Sequence, residues 1–504
     1  MITQYYSYVT SRRLARRFAL AAGIAVIALP ALASAQSVDP QALQQQVDSL
    51  QQQINSLKAS SAAASGESSE SEADILKKYM AGQTNLTTHG ITLYGTLDIG
   101  MSYQTHGAPL NDYFYPGVNE LVQKNSTRSI FGVTPSGLSQ SKIGIKFEEP
   151  LIADQLNLVG KLETGFNPQS GVLSDAVKSV QQNNGVALGN QTANADGSRA
   201  GQFLNGEAYI GVDSKTYGRF TVGRLDSLLL DNVVTYDPMG GSYAFSLIGW
   251  AGAANGGGDT QDARLDNSAR YAVQLGPVHM IALAQANNGY NNTGLGAGQF
   301  DVGTQWGGLS VDATVSDVKD AVHLGSVPGG TLGNNTYLSG TISDNIAEAL
   351  MLKYGMGPAT LYGGYEHILY SDPSHNLNTG AQDIGGYLLQ VTNNAYQSGN
   401  EVLQIAWTGA KYQFTPKFSL AGAYYYQHQN NYAGSNVSCG GTAYGRSGKC
   451  AGSENVMSLM GDYAVTKRFD LYAGVMYSQV LGGMDSGYAY NNAVSTMAGA
   501  RFNF

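Results

Sequence analysis

The chain has 504 residues, 64 of them Gly and 32 Tyr, and only 13% are charged. Its net charge is −9; without the four arginines of its first 35 residues it would be −13. That acidic balance argues against a nucleic-acid partner and against a polybasic membrane-surface site.

Arg12, Arg13, Arg16 and Arg17 precede an apolar run from Phe18 to Leu32 and the small-residue triplet Ala33-Ser34-Ala35. This is the pattern of a secretory signal peptide over residues 1–35, with the mature chain expected from Gln36. An uncleaved anchor is the weaker alternative, because the run is short and a cleavage pattern follows it. No later run reaches the length of a spanning helix. Over residues 36–58, Leu43, Val47, Leu50, Ile54 and Leu57 step by four, three, four and three. That heptad seam predicts a short coiled coil, or else a single amphipathic helix. Two heptads are marginal alone, so the helices need tethering by something larger. Residues 59–89, opening with "ASSAAASGESSESE", read as a flexible linker.

From Gly90 to Phe504 the period changes to two. "ITLYGTLDIGMSY" puts Ile91, Leu93, Leu97, Ile99, Met101 and Tyr103 on one face. "KIGIKF", "LNLVGKLETGF", "FDLYAGVMY" and the closing "AGARFNF" repeat the scheme. The apolar rows of these five segments carry no charge. The opposite rows carry Asp98, Lys142, Lys146, Glu148, Lys161, Glu163, Asp470 and Arg501. A one-sided sheet over a soluble core alternates too, but aromatics here collect at the ends of the apolar rows, as in Tyr103, Phe147, Phe166, Phe469, Tyr477 and Phe504. An outward Lys or Arg at mid-bilayer costs about 2–4 kcal/mol. A lipid-facing wall with aromatic girdles explains both patterns.

Short turns ("SKTYG", "LGP", "WGG", "FTPK", "VTKR") alternate with long Gly/Asn-rich connections. The expected fold is an all-β membrane protein, a closed antiparallel barrel of sixteen strands, with long loops on one side and turns on the other. The rows near 278–306 and 401–414 alternate poorly. Cys439 and Cys450 are the two cysteines; an exported chain can oxidise them into a loop staple, the alternative being two unpaired thiols.

The ordered set "SKIGIKF", "KLETGFN", "YGRFTVGR", "DNSARYAV", "AGAKYQFTPKFSLAGAYYY", "DYAVTKRFDLYAGVMYS" and "GARFNF" resembles the general porins of Gram-negative outer membranes, closest to the beta-proteobacterial type. The resemblance covers about Gly90 to Phe504. It implies a homotrimer in outer-membrane lipid, each barrel a water-filled pore narrowed by its inward-folded third loop. It also implies that Phe504 signals to the barrel-insertion machinery. The helix before the barrel departs from the plain family pattern. Its β-branched Val47 and Ile54, with Leu between, favour two strands rather than three.

For a pore, function lies in the charges at its narrowest point. The third long loop, "LDSLLLDNVVTYDPMGGSYAF", carries Asp226, Asp231 and Asp237, with Arg224 at its root. Alternation places Asp98, Lys142, Lys146, Lys161, Arg219, Arg270 and Arg501 on the pore wall. The expected arrangement is a transverse field of loop carboxylates facing wall cations. The alternative is local pairing with Glu148 or Glu163. Seven histidines show no metal-ligand spacing, "GRSGKC" is a degraded phosphate-loop match, and there is no G-x-S-x-G elbow. A barrel lipase would need a Ser/His pair on the outward rows, which offer none. The expectation is a channel without cofactor for passive diffusion of small hydrophilic solutes and ions. A substrate-selective channel, or an envelope tether acting through the coiled coil, are the alternatives.

Overall fold

A computed structural model describes residues 85–504, interrupted mainly at 108–121, 175–202, 250–262, 287–295, 327–337 and 433–449. Before residue 85 it describes Asp48, Ser49, Gln51, Gln52, Lys78, Tyr79, Ala81 and Gly82. The chain divides into two units, Met1–Ile75 and Leu76–Phe504. In the first, Asp48, Ser49, Gln51 and Gln52 are helical and exposed. The expected signal peptide and the seam residues of the expected coiled coil lie outside the described residues. No helix among the described residues is long and apolar enough to cross a membrane.

The second unit contains twenty described strands. They are β1 (Leu86–Thr88), β2 (Ile91–Gly107), β3 (Arg128–Pro135), β4 (Lys142–Ile152), β5 (Leu156–Gly165), β6 (Ala208–Ser214) and β7 (Gly218–Asp226). After the helix α1 (Leu228–Tyr236) come β8 (Arg264–Leu275), β9 (Val278–Gln285), β10 (Ala297–Trp306), β11 (Leu309–Ser326), β12 (Leu338–Met356) and β13 (Ala359–Ser371). The rest are β14 (Gly380–Ile384), β15 (Tyr387–Asn394), β16 (Glu401–Thr415), β17 (Phe418–Gln429), β18 (Gly452–Ala464), β19 (Phe469–Gly482) and β20 (Asn492–Asn503).

These strands fill sixteen antiparallel lanes. β3 and β4 share one, since both pair the same edge of β2, from Gly107↔Arg128 to Ile91↔Phe147. β14 and β15 form a hairpin within a long connection. β1 folds back on the start of β2, through His89 and Gly90 with φ of 49° and 75°. Two left-handed residues in succession are what a tight hairpin turn requires. Closure comes from β20, which pairs β19 on one side and β2 on the other, from Thr96↔Asn503 to Gln104↔Ser495. Phe504 then exchanges both backbone hydrogen bonds with Gly95, at 2.9 Å each. The sheet thereby closes on itself, as hydrocarbon demands. The linker expected over 59–89 therefore ends in ordered chain: Arg468 Nε donates to the Tyr79 carbonyl at 2.6 Å.

The outward rows are apolar and exposed, for example Leu97, Met101, Val133, Ile145, Leu352 and Leu471. Aromatics gather at the turn end, where Phe414 packs edge-on to Tyr412 and tilted against Phe418. Glu348 is an exception: it is exposed between the outward Ile346 and Leu350 and opposite His367.

The inward rows are not uniformly polar. The third long loop enters the barrel at Ser227 and packs against β12, β13 and β16 to β20. Leu229, Val233, Tyr236, Phe245, Leu247 and Ile248 of the loop meet Met351, Ile368, Ile405, Trp407, Tyr472 and Met476 of the wall. Burial of such side chains contributes about 1.5–3 kcal/mol each. Two wall glycines admit the loop: a Cβ at Gly409 would strike Pro238, and one at Gly474 would press on the Phe245 ring. Where the loop covers it, the inner wall is an apolar core rather than a wetted surface.

Candidate functional site

The helix α1 presents the loop to the lumen. Ser227 caps its N-terminus, accepting from the Leu230 N–H at 3.2 Å. Leu229, Val233 and Tyr236 fall on its buried side, while Asp231, Val234 and Thr235 face open space. An acid in the first turn also suits the helix dipole. The chain leaves α1 at Asp237, where the Trp407 indole donates to the Tyr236 carbonyl at 3.1 Å.

Opposite α1, strands β4 to β8 form a charged wall. Lys142 Nζ lies 3.0 Å from Glu163. Lys161 Nζ lies between Glu163, at 3.5 Å, and Glu207, at 2.7 Å. Arg219 pairs with Asp213 at 2.5 Å. Lys146, beside Lys161 on the next strand, is exposed and has no ion pair among the described residues. Arg264 pairs with Asp226 on the neighbouring strand at 2.9 Å, and the wall meets the loop where Arg270 reaches Asp231 at 2.7 Å. A space of about 600 Å³ opens beside this junction, lined by Glu207, Tyr209, Arg219, Asp231, Arg270 and His279 among others. Its lining includes Lys215 and Thr216, so it leads toward the turn end.

On β7 the outward positions are Phe220 and Val222, and Arg224 follows them in phase, while Thr221 and Leu225 line the open space. The register shift beside it belongs to β8: Gly223 pairs Ser268 and Leu225 pairs Leu265, so the extra residue lies at Asp266 and Asn267, with Asn267 at φ 54°. Arg224 is buried and meets Asp266 at 2.6 Å and the Gly206 and Asn205 carbonyls at 2.8 and 3.0 Å. Its expected place at the constriction is corrected, because the regular alternation of β7 sets it on the other row.

Two expected site acids do not face the lumen. Asp98 is fully buried and accepts the backbone N–H groups of Gly137, Leu138 and Ser139 at 2.9–3.1 Å. The Tyr472 hydroxyl adds a fourth bond at 2.6 Å. Asp98 thereby holds the inward excursion between β3 and β4, on which the loop rests through Ser242 and Ala244, both bonded to the Gly137 carbonyl. Asp237 is 2% exposed. It accepts from the Met239 and Gly241 N–H groups and, at 2.5 Å, from Tyr425. Burial pushes its carboxyl above the usual range, against the pull of these donors and Ser246. The expectation that Asp237 faces wall cations is corrected: its carboxylate folds the "DPMGG" tip. Arg501, near the closing seam, pairs with Asp470 at 3.0 Å. Cys450 is buried and disulfide-bonded; its expected partner Cys439 lies outside the described residues.

Sequence reasoning missed Glu207, Arg264, Asp266, Lys353 and Lys411. Glu207 precedes a short strand, and its phase with Tyr209, Gly211 and Asp213 was there to be read. Arg264 and Asp266 stand among loop-like residues, where no alternation assigns a face. Lys353 follows the apolar inward residues Ala347, Ala349 and Met351 on its strand.

A family model described as Gram-negative porin matches residues 21–483. An outer membrane porin protein of Bordetella pertussis is 25% identical over 182 residues, which is 36% of this chain and 38% of that relative's length. Among solved structures, the anion-selective porin from Comamonas acidovorans has a TM-score of 0.53 and 16% identity, covering 82% of this chain and 99% of its own. The trimer form of in-vitro folded OmpT from Vibrio cholerae has a TM-score of 0.50 and 17% identity, with coverage of 82% and 99%. At these identities the likeness to the solved structures is one of fold.

Proposed function

This chain belongs to the Gram-negative porin family, and from that premise we propose that it is an outer-membrane channel for passive diffusion of small hydrophilic solutes and ions. The observation that carries the reading is the junction where a loop braced inside a closed apolar-skinned barrel sets Asp231 against Arg270. Rings of fixed charge at a narrowing filter solutes by size and charge without a deep binding site. The Comamonas acidovorans relative is anion-selective. In this chain Lys161, Arg264, Arg270 and Arg501 each have a carboxylate partner, which argues for a weaker preference. A homotrimer fits the resemblance and the trimer form of the Vibrio cholerae relative. The pairing of Phe504 with the first strand suits a terminal insertion signal. Tyr79 lies against the turn of Arg468, which supports a periplasmic position for the segment before the barrel, including the coiled coil expected over 36–58.

The test is conductance of purified protein in a planar bilayer. Linear, size-limited flux and closure in three steps are the expected results. Flux that saturates with one solute would replace this reading by a substrate-selective channel, and absence of conductance would end it. Deleting residues 40–58 should leave conductance intact; a weakened envelope in that strain would add a tethering role.

A further inference from the structure

Three inward residues stand apart from the paired charges of the wall. His279 on β9, Asp301 on β10 and Asp312 on β11 come from adjacent strands and meet behind α1. Gly303 is the cross-strand partner of both His279 and Asp312. A Cβ there would collide with the Asp312 carboxylate and the imidazole Cε1, so the missing side chain lets the two converge. His279 Nε2 lies 2.6 Å from Asp312 Oδ1 and 3.4 Å from Asp301 Oδ1. The three atoms fall within 4.8 Å of one another.

The outer oxygens of both acids are held in place. Asn232 Nδ2 and Thr314 Oγ1 donate to Asp301 Oδ2 at 2.7 and 2.8 Å, and the Tyr236 hydroxyl donates to Asp312 Oδ2. The inner oxygens, Asp301 Oδ1 and Asp312 Oδ1, are buried and face no donor among the described residues other than the imidazole. The residues themselves are 0% and 4% exposed. Two buried carboxylates facing one point cost several kcal/mol unless a cation stands between them. An imidazolium supplies one positive charge against two negative ones; a divalent ion supplies two. One imidazole nitrogen with two carboxylate oxygens suits a first-row ion such as Zn²⁺, whereas Ca²⁺ and Mg²⁺ favour oxygen alone.

We propose that His279, Asp301 and Asp312 bind a divalent cation of the Zn²⁺ class at the seam between the pore wall and the constriction helix. Bonds of about 2.0–2.1 Å to a tetrahedral ion set ligand atoms about 3.3 Å apart. His279 and Asp301 already stand at that spacing, and Asp312 would withdraw from the imidazole by under about 1 Å. The ion enters from the pore, since His279 lines the open space beside Asp231. Asn232 and Tyr236 belong to α1 and grip the ligating carboxylates, so an ion here braces the constriction helix against β9 to β11.

The experiment uses tag-free full-length protein in detergent, stripped with chelator, then titrated with Zn²⁺ by calorimetry and with Co²⁺ by visible absorption. One saturable Zn²⁺ per chain is expected, together with the intense visible bands of low-coordinate Co²⁺. His279→Ala, His279→Gln and Asp301→Asn should each abolish it. Tyr236→Phe should weaken it about tenfold or more, as loss of a group orienting a ligand does. His367→Ala, on the outward face, should leave it unchanged. Folding of each variant is checked by the heat-dependent gel mobility of the intact barrel. No saturable binding in the parent, or binding retained in both His279 variants, would reduce the cluster to a plain imidazolium ion pair. Conductance without metal, measured on the same preparations, separates that failure from any failure of the channel reading.

Discussion

The parts of β12, β13 and β16 to β19 that lie under the loop and the inward rows of β4 to β8 have the same geometry and contrasting chemistry. On the first, Met351, Ile368, Ile405, Trp407 and Met476 lie under the loop in an apolar core. On the second, Lys142, Lys161, Glu163, Arg219 and Arg270 stand against water in pairs. One part of the wall is therefore a foundation for the loop, and on the proposed reading the other part is the filter. Charge alone does not sort residues between them. Asp98 and Asp237 are acids that belong to the foundation, each receiving several buried donors.

That division can be broken most forcefully at Phe245, which is fully buried and packs edge-on to Tyr472 with centroids 6.4 Å apart. Phe245→Ala should cost about 3–5 kcal/mol and free the loop from its seat. Thermal unfolding should show the loss, and single-channel records a larger, noisier conductance; unchanged stability would mean that the loop does not depend on this core. Asp98→Ala should rank beside it. It leaves three backbone donors and a tyrosine hydroxyl without their acceptor, each such group costing about 1–3 kcal/mol. Its reversal potential in a salt gradient should stay near that of the parent.

Asp231 and Asp237 then sharpen the contrast at a distance of six residues. Asp231→Asn should move the reversal potential toward anions by releasing Arg270, with a stability change within about 1 kcal/mol for a partly exposed pair. The shift should shrink between 0.1 and 1 M salt, as the screening length falls from about 10 to about 3 Å. Asp237→Ala should do the reverse, costing about 1–3 kcal/mol with little direct effect on selectivity. If both variants moved the reversal potential equally, the two-region picture would be wrong. Smallest of all, Lys146→Gln should leave stability within about 0.5 kcal/mol and shift selectivity slightly toward cations.

The strand rows, the sixteen lanes and the outward face were legible in the sequence because lipid is one uniform solvent. Each outward residue meets the same hydrocarbon whatever its neighbours, so a period of two written locally, as in Ile91 to Tyr103, suffices to read it. Aromatic rims and the closing phenylalanine follow from the same cause. Glu348 shows that even this rule admits an exception. Lys142, Lys161, Arg219 and Arg270 lie on the rows that strand phase gives them, whereas Asp231 comes from the loop helix, to which no strand phase applies. What the inward residues do was decided only by tertiary structure, because the interior is several solvents at once. Whether an inward acid is a filter or a hidden clasp depends on which distant segment lies over it, as Gly137 to Ser139 lie over Asp98. Leu265 comes level with Leu225 only because an extra residue bulges β8, and His279 meets Asp312 only because a glycine separates them across two strand pairings. Those are relations between residues far apart in the chain, and no local pattern carries them.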